Sequence, residues 1–176
     1  MRKVKYRLFL DYDKEEKWVN DMAKEGWHLE KFSAARYVFT KGEPGAYIYR
    51  QEFLGNMSKQ EKEEYFQLLQ DSGATIVHEW LSWIYVKKPA SEGTFELYTD
   101  ANSKIAYYNR ILNTFLVLLL VNIASAGLNF SIVSQSSAGQ FNIYGAIFNL
   151  MAAVIVMIPM VKINKKKKKL QEQLFE

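Results

Sequence analysis

The sequence contains no cysteine and only two histidines among its 176 residues. The lack of cysteine excludes disulfide bonds, thiolate catalysis and cysteine-ligated metal sites. His28 and His78 do not form the HxxxH or HExxH spacing of a metal site, which would also need nearby carboxylates such as Glu30 or Glu79. We therefore expect two isolated histidines in the predicted sheet, no metal and no cofactor.

Patterns that mark an enzyme are also missing. The segment KGEPG at 41–45 holds two glycines but matches neither the Walker nor the dinucleotide-binding pattern, so it is predicted to be a hairpin turn. The acidic run DYDKEE at 11–16 is predicted to start a helix, with Asp13 as N-cap and Glu16 completing a capping box. We name no catalytic residue and expect a protein that is not an enzyme.

Charge is absent from two long apolar runs, 111–133 and about 141–161. As helices, both are long enough to cross roughly 30 Å of hydrocarbon at about 1.5 Å per residue. No apolar segment of the N-terminus resembles a cleaved signal peptide. The sequence thus predicts a two-helix transmembrane hairpin, whose first span continues a helix that Thr99 or Asp100 caps.

The distribution of positive charge predicts the orientation of this hairpin. Lys104 and Arg110 precede the first run, whereas Lys162 and the lysine run of the tail follow the second. By the positive-inside rule, both termini lie in the cytoplasm and the loop 134–140 lies outside. We therefore predict a multi-pass protein of the cell membrane with a cytoplasmic soluble domain.

The formal net charge of +4 comes from the tail alone. Residues 1–110 contain 17 Lys and Arg and 17 Asp and Glu, so the soluble part is formally neutral. We therefore expect no direct contact with nucleic acid. The tail lysines fix topology and are candidates to bind anionic lipid headgroups at about 1 kcal/mol each. They are Lys165, Lys166, Lys167, Lys168 and Lys169.

Small and polar residues recur at helical spacing along both apolar runs. Small residues let helices approach closely, and Asn amides in lipid favour polar partners by roughly 0.6–2 kcal/mol each. These stripes form either the seam of the hairpin or a surface for self-association or docking to another membrane protein. The candidate packing residues are Asn122, Ser125, Asn129, Gly145, Asn149 and Ala152.

The soluble part alternates between strand and helix patterns. Val4, Tyr6, Leu8 and Leu10 occupy one side of a predicted half-buried strand. The following order, β-α-β-β-α-β with one extra extended piece, predicts an α+β, ferredoxin-like split βαβ domain with an antiparallel sheet, or else an irregular α+β sheet. The predicted divisions are the domain at 1–98, a connecting helix at 99–110, the spans, and a polybasic tail at 162–176.

Aromatic residues make up 15% of the chain and are its least ordinary feature. If Thr40 pairs near Ala46 across the KGEPG turn, several aromatic side chains share one sheet face. They either fill the core or form an exposed face that binds a peptide, a partner domain or an apolar ligand. The candidate binding residues are Trp27, Tyr37, Tyr47, Tyr49, Arg50, Trp80, Trp83 and Tyr85.

Three separated motifs occur in one order: FLDYDKEEKWVNDMAKEGWHL, then YVFTKGEPGAYIYRQEF, then GTFELYTDANSKIAYYNRI. Together they resemble the bacterial family called domain of unknown function 2812, over roughly residues 1–110. This resemblance implies C-terminal hydrophobic segments and, from frequent proximity to PadR-like transcriptional regulators, a regulatory or stress-response role. The family defines no functional residues, so none is carried over.

These features predict a membrane-anchored binding or regulatory module that recognises a protein partner or ligand at the inner membrane face. The alternative is a structural accessory subunit of a membrane transporter or of a self-assembling membrane complex. We expect either a protein partner or self-association.

Overall fold

The computed structural model describes residues 1–55, 57–133 and 139–174. Contacts divide the chain into two compact units, Met1–Thr99 and Asp100–Glu176. We call them the soluble unit and the helical unit. Most of the predicted outer loop 134–140 lies outside the described residues.

The soluble unit contains six strands and two α-helices. In chain order they are β1 (Arg2–Tyr6), α1 (Tyr12–Lys24), β2 (Trp27–Phe32), β3 (Arg36–Lys41), β4 (Tyr47–Phe53), α2 (Lys59–Asp71), β5 (Thr75–Trp80) and β6 (Trp83–Pro89), followed by a 3-10 turn at Ala90–Glu92. The strands form two antiparallel three-stranded sheets, ordered β1-β3-β2 and β4-β6-β5. The predicted α+β class is confirmed, and each half contains a split β-α-β connection.

The strands do not merge into the single sheet of a ferredoxin-like domain. β3 pairs with β1 on one side and β2 on the other, so it has no free edge to offer β4. β4 pairs with β6 instead. The predicted pairing of Thr40 near Ala46 is therefore wrong, and KGEPG joins two sheets rather than two strands of one hairpin.

The two halves of the soluble unit repeat one β-α-β-β motif at a constant spacing. α1 begins at Tyr12 and α2 at Lys59, 47 residues later. The strand registers repeat at the same spacing, since Arg2↔Thr40 in the first sheet corresponds to Tyr49↔Lys87 in the second. Both sheets also carry a register shift at equivalent places, between Leu29 and Lys31 and between Ile76 and His78. The repeat thus extends to individual backbone pairs, and equivalent residues can be compared directly.

The helix termini follow local sequence signals, with one correction. Ser58 and Glu61 form a capping box at the start of α2. Gly26 and Gly73 follow the two helices with φ of +80° and +84°, a conformation that suits glycine. The N-cap of α1 is Asp11 instead of the predicted Asp13, and its side chain makes no capping hydrogen bond.

The segment after Gly73 contains two strands. β5 and β6 form a tight hairpin in which Trp80 pairs with Trp83. Leu81, at the turn, has φ of 54°. A two-residue hairpin turn needs a residue with positive φ, usually Gly, Asn or Asp, so the sequence Leu-Ser does not predict this turn.

Two hydrophobic clusters stabilise the soluble unit. The first lies between α1 and both sheets, and its members are Val19, Met22, Ala23, Leu29, Phe32, Tyr37, Phe39, Tyr49 and Tyr85. The second lies between α2 and the second sheet, and its members are Leu54, Leu69, Ala74, Ile84, Val86 and Phe95. The apolar side of α1 therefore packs against both repeats and buries Val19, Met22 and Ala23, whereas α2 buries only Leu69.

The apolar side of β1 is exposed, although its alternation predicts a half-buried strand. Val4 is 43% exposed, Tyr6 75% and Leu8 69%. Trp18 of α1 packs its ring against Tyr37, on the opposite face of this sheet. The prediction is wrong for the single chain because α1 covers only one of the two faces.

The helical unit consists of α3 (Ala101–Val133) and α4 (Gln140–Glu172). Ser103 donates its backbone N–H to Asp100 Oδ1 at 2.8 Å, so Asp100 caps α3 as predicted. α4 contains Pro159 and continues through the lysine run. Both helices are long and apolar enough to cross a membrane, with mean hydropathies of 2.1 and 2.2 over their most apolar windows.

Candidate functional site

The eight predicted binding residues fall into two groups by burial. Tyr37, Tyr49 and Tyr85 belong to the core and are at most 1% exposed. Their rings therefore contribute packing and do not reach solvent. The partly exposed members lie at the edge of the same core or on the surface of β4, and they are Trp27, Tyr47, Arg50, Trp80 and Trp83.

A half-buried carboxylate, that of Glu15, joins the core tyrosines. Glu15 on α1 accepts hydrogen bonds from the Tyr85 hydroxyl at 3.3 Å and from Gln51 Nε2 at 3.1 Å. Burial raises the pKa of Glu15 above its usual range, against the lowering effect of its hydrogen bonds to Tyr37 and its other partners. Burial and the nearby Glu15 charge also raise the pKa of Tyr37. These tyrosines stay protonated at neutral pH, so the cluster acts as a buried hydrogen-bond network.

The outer edge of β4 is covered by side chains of α1. The Asn20 amide donates to the backbone oxygen of Tyr49 at 2.9 Å and accepts its N–H at 2.8 Å. One turn earlier, Glu16 accepts the N–H of Gln51 at 2.8 Å and pairs with Arg50 at 3.2 Å. An edge strand is normally a site of unwanted pairing, and these two side chains close it. The sequence predicts Glu16 to be part of a helix cap, whereas the structure places its carboxylate at the β4 edge. The one sequence signal for this role is its i, i+4 spacing from Asn20.

A shallow cleft of about 350 Å³ lies beside this edge. It is lined by Asp13, Glu16, Lys17, Asn20, Lys24, Ile48 and Arg50. Arg50 also lies 3.4 Å from the carboxylate of Glu96. Because its guanidinium is shared between two carboxylates, Arg50 is already neutralised within the chain.

Lysine side chains stack on the exposed aromatic rings around the loop 42–46. Lys41 Nζ lies 4.9 Å from the centroid of the Trp27 ring, which Lys3 also approaches to 4.0 Å. Lys87 Nζ lies 4.2 Å from the centroid of Tyr47. Burial lowers the pKa of Lys87, since part of its hydration is lost. We call Trp27, Lys41, Tyr47 and Lys87 the aromatic–lysine surface.

His28 packs beneath the aromatic–lysine surface and contacts Tyr47 and the loop 42–46. Its ring meets Tyr47 edge-on with centroids 5.3 Å apart, and its Nε2 lies 2.7 Å from the carbonyl oxygen of Glu43. Gly42 packs so closely that a Cβ atom there would lie 2.6 Å from His28 Cδ2. His28 thus positions the loop. Among residues 1–55, 57–133 and 139–174, no group of three or more His, Cys, Asp or Glu side chains is arranged to hold a metal ion.

The candidate packing residues of the helical unit lie along the facing sides of α3 and α4. A Cβ atom added to Gly145 would lie 3.0 Å from Asn129 Oδ1, so the two helices approach closely there. Asn122, Asn129 and Asn149 each donate to the carbonyl four residues earlier in their own helix. Ser125 and Ala152 are half-buried. These amides are therefore satisfied locally, and the small residues supply the close approach.

The lysine run is helical and partly engaged. Lys167 Nζ donates to Asn109 Oδ1 at 2.9 Å, which ties the end of α4 to the start of α3. Lys165, Lys168 and Lys169 are exposed, whereas Lys166 is half-buried. Exposed lysines at the end of an apolar helix are placed to meet lipid headgroups if the helix is inserted.

Comparison with known families supplies the remaining observation. Residues 11–120 match the model of a protein family of unknown function, DUF2812. The chain belongs to the DUF2812 family. The match runs from the start of α1 into the first apolar helix, so the DUF2812 region joins part of α3 to most of the soluble unit. No curated protein and no solved structure matches the chain. The expected family resemblance is confirmed.

Proposed function

We propose that this chain is a membrane-anchored binding module with a regulatory role. In this proposal α3 and α4 insert into the cell membrane, both termini face the cytoplasm, and the soluble unit recognises a protein partner at the inner membrane face. The support for insertion is the length and apolar character of the two helices. The support for orientation is the positive charge of Lys104, Arg110 and the lysine run, which favours the cytoplasmic side.

The aromatic–lysine surface carries the proposal for binding. Trp27 and Tyr47 present partly exposed rings, and each ring has an ammonium group within 5 Å of its centroid. Rings of this kind supply rigid contact area at low cost in conformational entropy. Lys87 has lost hydration to burial and gains most from an anionic partner. A protein segment that carries Asp or Glu beside an apolar residue fits this combination.

The remaining partly exposed candidates are Trp80, Trp83 and Arg50. Trp80 and Trp83 lie at the β5–β6 turn and pack against the first core cluster. Arg50 is paired with two carboxylates. We therefore assign the main binding contacts to Trp27, Tyr47 and Lys87.

Affinity capture of the full-length protein from its native membranes tests the proposal. We expect one stoichiometric protein to be recovered with the natural sequence and to be lost with Tyr47→Ala or Lys87→Ala. Lys59→Ala is the matched control, because its side chain is 91% exposed and lies on α2. Recovery of no stoichiometric partner, or of a partner indifferent to Tyr47 and Lys87, would contradict the assignment.

A further inference from the structure

We propose that the soluble unit pairs with a second copy of itself, in which α2 of one chain covers the β1 edge of the other. The inference rests on the internal repeat and is independent of the partner proposed above. Within one chain, the first helix covers the second repeat. The second helix and the first strand have the matching surfaces, and both remain uncovered.

The contact inside the chain provides the template. Asn20 and Glu16 on α1 bind the outward backbone groups of Tyr49 and Gln51, and Glu16 also pairs with Arg50. The side chains of Tyr49 and Gln51 are buried beneath this contact, at 0% and 6% exposure. Two polar side chains four residues apart on one helix therefore close one strand edge.

α2 has the same two kinds of side chain at the equivalent positions. With the repeat spacing of 47 residues, Glu63 corresponds to Glu16 and Gln67 to Asn20. Both are exposed, and Gln67 uses its amide only to reach Asp71 on its own helix at 2.8 Å among the described contacts. The surface of α2 that is equivalent to the edge-covering surface of α1 thus faces solvent.

β1 is the strand that corresponds to β4. Met1 accepts a hydrogen bond from β3 through its oxygen, and Arg7 donates its N–H to Ala35 beyond the other end of the strand. Since strand residues alternate, Arg2 and Val4 turn their backbone N–H and C=O groups away from β3. These are the residues equivalent to Tyr49 and Gln51. Within the described residues, β1 ends its sheet and pairs only with β3.

The two surfaces also complement each other in apolar area and charge. The exposed side chains of Val4 and Tyr6 occupy the places that the buried side chains of Gln51 and Phe53 occupy in β4. β1 carries Lys3 and Lys5, together with Arg2, whose guanidinium pairs with Glu30 of β2 at 2.6 Å, and it carries no acid. α2 carries four acids against two lysines, one of which, Lys59, lies 3.8 Å from Glu63. Lys3 is equivalent to Arg50, so in the dimer it would pair with Glu63 of the second copy as Arg50 pairs with Glu16 within one chain. Lys3 would then leave its position over the Trp27 ring.

A second copy is the occupant that satisfies both surfaces at once. Each chain offers one uncovered strand edge and one uncovered face of α2, and two chains related by a two-fold axis exchange both contacts reciprocally. An unrelated partner would satisfy only one of them. The exposed alternation of β1, which predicts a buried strand face, is explained by the same contact.

Cysteine cross-linking of the full-length protein in detergent tests this arrangement, because the natural sequence lacks cysteine. Two differently tagged chains, one Arg2→Cys and one Gln67→Cys, are mixed and treated with a short bismaleimide. We expect a covalent heterodimer of the two tags. The control pair Arg2→Cys and Ser91→Cys uses an exposed position outside α2 and should not cross-link.

A proline at position 4 gives an independent test on the same sample. Val4→Pro removes the outward N–H, which β3 does not use, and an edge strand tolerates such a proline. We expect dimerisation, measured by analytical ultracentrifugation, to weaken at least ~10-fold, while Val4→Thr retains it. If Val4→Pro unfolds the soluble unit, the Glu63→Ala/Gln67→Ala double variant replaces it and should weaken the dimer likewise. A monomer at all concentrations, or a dimer indifferent to these variants and without the Arg2–Gln67 cross-link, would overturn the proposal.

Discussion

Asn20 gives the sharpest prediction for the stability of the soluble unit. Its amide holds both the N–H and the C=O of Tyr49, a fully buried residue. Asn20→Ala leaves these two groups without their partner, at about 1–3 kcal/mol each. The better helix propensity of alanine returns about 0.5 kcal/mol. We therefore expect the free energy of unfolding to fall by about 1.5–5.5 kcal/mol.

Tryptophan fluorescence measures this loss selectively, because all four tryptophans lie in the soluble unit. With a urea dependence of about 2 kcal/mol per molar, the midpoint should fall by roughly 1–3 M. Lys17→Ala, on the same helix and with its side chain 77% exposed, should change stability by less than about 0.5 kcal/mol. Equal midpoints for Asn20→Ala and Lys17→Ala would refute the claim that α1 closes the β4 edge.

Three further predictions concern pH, helix packing and topology. Because burial raises the pKa of Glu15 in the folded state, folding becomes less favourable as pH rises from the usual carboxyl value near 4.5 through the folded pKa. The natural protein should therefore gain stability relative to Glu15→Gln as pH falls through that window, measured as urea midpoints. A stability difference that is constant with pH would contradict this prediction. Gly145→Val should push α3 and α4 apart, because a Cβ atom at this position would lie 3.0 Å from Asn129 Oδ1, and it should raise the rate of hydrogen exchange in both helices. Gly127→Val is the control and should leave the exchange rate unchanged, because a Cβ atom there meets nothing within 4 Å. Replacing Lys165–Lys169 with Gln removes five positive charges and should increase the fraction of chains inserted in the opposite orientation, measured by protease protection of the soluble unit; an unchanged fraction would place the topology signal elsewhere.

Local signals in the sequence predict much of the secondary structure. The Asp100 cap is confirmed, and the Ser58 capping box and the glycines that follow both helices also match local sequence signals, because each depends on residues within one turn of the chain. The long apolar helices follow from composition alone. The start of α1 was misplaced by two residues because Asp11 and Asp13 are equally good N-caps by type.

The sheet arrangement depends on distant pairing and was only partly predictable. The choice of β6 rather than β3 as the partner of β4 is a tertiary decision that alternation does not encode. The repeat was also hidden, since equivalent positions such as Trp18 and Tyr65, or Met22 and Leu69, share apolar character but not identity. It becomes visible only through the matching strand registers.

The candidate binding residues show the same limit. Aromatic content predicts both a core and a binding face, and only the packing separates buried Tyr49 from half-exposed Tyr47 two residues away. The lysines that stack on the exposed rings come from β3 and β6, which sequence reasoning does not bring together. The sequence therefore predicts which residue types bind, but the location of the surface can be predicted only from the fold.

In the proposed function, the soluble unit lies at the cytoplasmic face of the membrane. Single cysteines at Ser91, exposed in the soluble unit, and at Ser137, in the predicted outer loop, can be labelled with a membrane-impermeant maleimide in the otherwise cysteine-free chain. We predict that Ser137→Cys is labelled in intact cells and that Ser91→Cys is labelled only after permeabilisation. Labelling of Ser91→Cys in intact cells would contradict the account.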